Sequence, residues 1–116
     1  MKSIHRYIVP LHPYKRDRRA FVVSEYGGYS IALDGHVWSS GRVGYMWFKT
    51  KDKLTKAYRS LHEKQVIPLI KKGLSAVVYT QLSDVENELN GFYTYDRREL
   101  KMDGDTVREI NSKLTY

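Results

Sequence analysis

"RAFVVSEYGG", residues Arg19 to Gly28, decides how this chain is read. Ala20 to Ser24 form a continuous apolar run with β-branched residues, the pattern of a strand covered on both faces, as in a parallel sheet. The run ends in Glu25, an aromatic residue and two glycines, so a carboxylate stands at the strand's end beside backbone that bends freely. Working outward, "SAVVYT" (75–80) repeats the buried-strand signature. Between the two, Leu54, Ala57, Tyr58 and Leu61 share one face at helical spacing. Thr50 is placed to cap that helix, Pro68 to kink or restart it, and Lys71, Lys72 and Gly73 to end it. Strand, helix, strand predicts a parallel βαβ unit over residues 20–80 with a right-handed crossover. Glu25 and the Tyr79-Thr80-Gln81 segment then leave their strands at the same carboxyl edge, where α/β proteins bind ligands.

The remainder is less regular. Residues 1–19, with Pro10, Pro13 and the basic run "YKRDRR" (14–19), read as a connecting segment holding at most a short strand at Ile4–Val9. Residues 25–50 contain Gly27, Gly28, Gly35, Gly41 and Gly44 together with His36, Trp38 and Trp47; a strand-to-helix loop of that length is functional or an embellishment. After Thr80 come the acidic "QLSDVENELNG" (81–91), the extended "FYTYDRR" (92–98), and a last helix capped by Asp103 with Val107, Ile110 and Leu114 on one face. With 116 residues the chain holds one domain at most.

A net charge of +7 makes nucleic acid the first partner to weigh. No RNP-like aromatic segment, GxxG clamp or metal-finger spacing accompanies the charge, which favours a solvated face and a basic loop over nucleic-acid binding. The absence of cysteine excludes disulfides, thiolate metal sites and a cysteine nucleophile. "MKSIHRYIVP" lacks a signal-peptide core and no stretch approaches the ~20 residues of a membrane span, so a cytoplasmic chain without a membrane partner is expected.

Candidate chemistry is sparse. His5, His12, His36 and His62 have no metal-ligand spacing, and His62 reads as a surface residue. Asp84, Glu86 and Glu88 read as solvated acids or partners for the basic runs rather than a cation loop, so neither a metal nor a cofactor is expected. Ten tyrosines and the loop residues Trp38 and Trp47 suit a sugar-binding surface, although loop tryptophans also pin loops to a core. From residue type alone, Glu25 is either a catalytic carboxylate or an exposed loop acid.

Three blocks carry a resemblance. "FVVSEYGGYS" (21–30) resembles the end of the seventh barrel strand in glycoside hydrolase family 2, the family of β-galactosidases, β-glucuronidases and β-mannosidases. "VIPLIKKGLSAVVYTQLSDVENELNGFYTYDRRELK" (66–101) resembles that family's seventh helix end, eighth strand and following loop, and "SIHRY" (3–7) a segment near its sixth strand. The resemblance implies a partial TIM (β/α)₈ barrel, strands seven and eight with their helices. It implies Glu25 as the nucleophile of a retaining glycosidase, Tyr7 as the residue orienting or ionising it, and Tyr79 and Gln81 as subsite wall. His5 and Trp38 become further substrate contacts, with Ser3 standing where the family often has an aspartate. The family's acid/base, an Asn-Glu pair after the fourth strand, has no counterpart here, since Asn87-Glu88 falls after the eighth strand. The expectation is therefore a C-terminal glycosidase fragment that meets its glycoside only within a complete barrel, supplied by the rest of such a chain or by self-association. The alternative is an autonomous basic α/β module that binds carbohydrate or nucleic acid without catalysis.

Overall fold

The protein is described by a computed structural model covering residues 1–7, 10–11 and 18–116. Its main sheet has three parallel strands in the order β1 (Lys2–Tyr7), β2 (Phe21–Gly27), β5 (Leu74–Thr80). Two short strands, β3 (Tyr29–Ser30) and β4 (Met46–Trp47), pair with each other within the long loop. Helix α1 (Lys51–Leu61) runs through a π-helical turn at His62–Val66 into α2 (Ile67–Ile70), and α3 spans Gly104–Asn111. The fold is thus mixed α/β, and the predicted βαβ unit is present as β2, α1–α2 and β5. β1 starts earlier than the expected strand, at Lys2, and its expected end at residues 8–9 lies outside the described residues, as do His12 and residues 14–17 of the basic run.

Local chemistry accounts for the helices. Thr50 Oγ1 accepts from Lys53 N at 3.2 Å, which satisfies one of the free N–H groups of α1. Pro68 has no N–H to donate, and the chain changes helical register just upstream, so the helix continues past the proline. Gly73, at φ +99°, closes the helical segment with its N–H on Ile70 O. Asp103 caps α3 by accepting from Thr106 N at 2.8 Å. Val107 and Ile110 pack on one side of it and Leu114, just past its end, packs on the core beneath the sheet.

One core cluster joins Phe21, Val23 and Tyr26 of β2 and Leu74 of β5 to Leu61, Val66 and Leu69. A second joins Ile31, Leu54, Tyr58, Met102 and Ile110, and Tyr79 packs against both. The expectation of strands covered on both faces holds for Phe21–Val23 but not for β5. Val78, on the sheet face away from the helices, is 55% exposed.

Two expected surface groups are interior. His62 is fully buried because it lies one helical turn after Tyr58 on the apolar face of α1: its Nδ1 faces Tyr58 O at 2.8 Å and its Nε2 faces the Tyr26 hydroxyl at 2.7 Å. A carbonyl can only accept, so Nδ1 carries the proton and Nε2 accepts from Tyr26. Asp84, read as a solvated acid, is buried with Lys101 Nζ at 2.5 Å. Asp84 also accepts from Gly91 N, and Lys101 also donates to Leu89 O, so this pair ties the loop after β5 together.

Candidate active site

Glu25 is aimed by two irregularities in the sheet. The β1–β2 register shifts between Ile4 and His5, so that His5 lies opposite Glu25, and the β2–β5 register shifts between Val23 and Tyr26. A bulge redirects a side chain that strict alternation would send elsewhere. His5 Nδ1 lies 2.6 Å from Glu25 Oε2. The Tyr7 hydroxyl donates to Thr80 Oγ1 at 3.2 Å and lies close enough to the Glu25 carboxylate for that group to act on its ionisation. Partial burial, and then the Glu25 carboxylate, push the Tyr7 phenol up to about 12. Two residues from β1 and one each from β2 and β5 therefore converge on one face near the strands' carboxyl ends.

The glycines after Glu25 make this convergence possible. Gly28 sits at φ +67°, and a Cβ there would come within 2.7 Å of the Tyr7 ring and 2.9 Å of the Tyr45 ring. Those two rings stack face to face, 4.3 Å between centroids and 4° from parallel. Gly27, at φ +96°, has the Tyr79 ring packed where a Cβ would stand.

The other expected site residues divide. Tyr79 is not beside Glu25: its ring meets Tyr26 and Tyr58 edge-on at 5.3 and 5.2 Å and Phe92 at 4.9 Å, on the helix side of the sheet. Neighbouring residues of a strand point to opposite faces, and the residue facing Tyr7 is Thr80. Gln81 follows a cis Thr80–Gln81 peptide bond and donates its side-chain N–H to Asn90 Oδ1 at 2.6 Å, which binds its amide into the loop. Trp38 is exposed and meets Tyr95 edge-on at 5.6 Å, next to the His36–Asp96 pair at 2.8 Å; these contacts strap the long loop to residues 94–96. No described contact joins Trp38 to the Glu25 group. Of the further site neighbours, Thr80 lies in the segment expected beside Glu25, and Tyr45 is not expected there. Thr80 was signalled by its place at the end of β5, whereas nothing in the sequence singles out Tyr45.

Among the described residues no three acidic or histidine side chains gather as metal ligands. A groove of about 640 Å³ between α1 and the start of α3, lined by Lys51, Thr55, Lys56, Met102 and Asp103, lies away from Glu25. Its cations face acids already: Lys51 is 3.0 Å from Glu99, and Lys56 is 3.0 Å from Asp52. The Glu25 group holds one carboxylate flanked by an imidazole and a phenol, a set suited to presenting an oriented oxygen nucleophile. Neither a scan against protein-family models nor a search of curated proteins finds a match to this chain.

Proposed function

We propose that this chain is the closing part of the catalytic (β/α)₈ barrel of a family 2 retaining β-glycosidase, with Glu25 as its nucleophile. The observation that carries the reading is the group of His5, Tyr7 and Glu25 at the carboxyl ends of adjacent parallel strands. The order β1-β2-β5 is the neighbour order that the resemblance assigns to a sixth, seventh and eighth strand. Among the described residues β1 and β5 each pair with β2 alone, and the sheet face bearing Val78 is open, as expected of a segment that further strands complete. The positive charge fits a solvated surface, because Arg59, Arg108 and Lys113 also lie against acids.

In this reading a Glu25 oxygen attacks the anomeric carbon. The bond to the leaving oxygen breaks with its electron pair, and water later releases the sugar from the ester. His5 and Tyr7 hold the carboxylate in line. Retaining chemistry uses a second carboxyl group about 5 Å from the nucleophile to protonate the leaving group, and among the described residues the Glu25 group supplies one carboxyl only. Unactivated glycosides should therefore not be turned over by this chain alone.

A leaving group that departs without protonation bypasses that gap. The test is incubation of the chain, complemented with the preceding strands of such a barrel, with dinitrophenyl 2-deoxy-2-fluoro-β-glycosides of glucose, galactose and mannose, followed by intact-mass and peptide analysis. One added glycosyl mass on the peptide containing Glu25, absent in Glu25→Gln, is expected. Labelling elsewhere, or equal labelling of Glu25→Gln, would sink the proposal.

A further inference from the structure

The segment after β3 and the segment leaving β4 enclose a second cavity, of about 440 Å³, lined by Ala32, Asp34, Arg42, Trp47, Phe48 and Lys49. A volume of this order suits a small organic ligand. Its walls are fixed by contacts on both sides. Ser30 and Trp47 are partners in the β3–β4 pairing, Phe48 N donates to Ser30 O at 2.8 Å, the Phe48 ring meets Tyr29 at 5.2 Å, and Thr50 caps α1 just past Lys49. Gly44 leaves room for the Trp47 ring, since a Cβ there would stand 3.0 Å from it. Trp47 is nevertheless 41% exposed, so a ligand can reach its indole.

The charges of this cavity are open. Among the described residues no ion pair or side-chain hydrogen bond holds Asp34, Arg42 or Lys49, although the three share one space. Lys51, two residues further on, is by contrast held by Glu99 at 3.0 Å. Two bases against one acid leave the cavity positive beside two aromatic side chains. An inorganic anion would leave Trp47 unused, and a neutral ring would leave both cations unused, so the lining asks for a ring and a negative charge in one molecule. A guanidinium fork matches the oxygens of a carboxylate or a phosphate, and the face of an indole matches a planar ring.

We propose that this cavity binds a planar aromatic anion, an aryl carboxylate or aryl phosphate, with its ring on Trp47 and its charge on Arg42 and Lys49. None of His5, Tyr7 and Glu25 lines the cavity, so the site stands whether or not the glycosidase reading does. Asp34 opposes the bound charge and keeps the affinity below what the two cations alone would give.

The test titrates the intact ¹⁵N-labelled chain with benzoate and phenyl phosphate, and with acetate and benzyl alcohol as charge-only and ring-only controls. Peaks of residues 32–49 should move, with both aromatic anions binding more tightly than either control. Tighter binding of benzoate identifies the carboxylate source, and tighter binding of phenyl phosphate the phosphate source. Arg42→Ala and Lys49→Ala should each weaken the aromatic anions about two- to tenfold. Trp47→Leu, which keeps apolar bulk beside Gly44, should weaken them roughly three- to tenfold and leave acetate unchanged. Asp34→Asn should tighten them. If acetate binds as tightly as benzoate, or Trp47→Leu weakens both alike, only a basic surface is present and the proposal is wrong. Binding that survives the double variant Arg42→Ala, Lys49→Ala, or shifts confined to residues outside 32–49, would overturn it equally.

Discussion

His5 and Glu25 are partners twice over: they are opposite one another in the register of two parallel strands, and their side chains meet at 2.6 Å. The backbone bulge beside them makes both relationships possible at once. If the contact positions the nucleophile, His5→Ala should slow covalent labelling of Glu25 by on the order of tenfold, because misplacement of a reacting group costs rate before affinity. His5→Asn, which keeps a donor, should recover part of the loss. A rate unchanged by either substitution would mean that the pair is a surface contact only.

Tyr7 acts on the same carboxylate. With its phenol pushed up to about 12, Tyr7 remains a hydrogen-bond donor throughout the neutral and mildly alkaline range. Labelling should then show no inflection attributable to Tyr7 within that range, and Tyr7→Phe should lower the rate roughly ten- to a hundredfold. Ultraviolet titration of tyrosinate, compared between the parent and Tyr7→Phe, checks the ionisation directly.

Gly27 and Gly35 both hold a left-handed backbone, at φ +96° and +80°, but only Gly27 has another side chain where a Cβ would stand. Gly35→Ala should cost about 1 kcal/mol from the backbone alone. Gly27→Ala adds displacement of the Tyr79 ring from its aromatic neighbours and should cost about 2–4 kcal/mol. Urea denaturation of the two variants separates the terms, and equal losses would show that the ring yields freely.

Features written locally were legible before the fold was seen. The apolar runs of β2 and β5, the Thr50 and Asp103 caps and the carboxyl-edge position of Glu25 all follow from residues within a few positions of one another. The misreadings have other origins. Tyr79 was assigned to the site because the β2–β5 register shift, which changes which side chains share a face, has no mark in sequence. His62 reads as a surface residue by its polar type, although it follows Tyr58 by four residues and Leu54 by eight and so continues the apolar face of α1. Asp84 and Lys101, and likewise Tyr7 and Tyr45, meet only through loop closures that no periodicity encodes.

His62 makes folding sensitive to acid. Burial holds its pKa below the ordinary 6.5, against the smaller opposing pull of its bond to Tyr58 O. The unfolded chain binds this proton more readily than the folded one, so stability is fully present above the unfolded value and is lost as pH falls through the folded one. The urea midpoint should therefore drop between neutral pH and pH 5 in the parent chain. The drop should be shallower in His62→Gln, which can accept from Tyr26 without titrating. Identical pH profiles in the two proteins would remove His62 as the cause.

Lys101 and Asp84 test whether the loop after β5 is held by charge or by packing. Both groups are interior, and burial dominates each: it raises the Asp84 carboxyl and lowers the Lys101 ammonium, each against the pull of the partner. Removing one partner strands the other, which costs about 3–5 kcal/mol, a large share of the stability of a small domain. Lys101→Met should therefore denature at much lower urea, with the loss largest for amide protons around Gly91 and Leu89, whose groups bond to the pair. The double variant Asp84→Leu, Lys101→Met buries no charge and should regain most of the midpoint. If instead the double variant is as unstable as the single, the pair's hydrogen bonds to Gly91 N and Leu89 O, rather than the balance of charges, hold the loop.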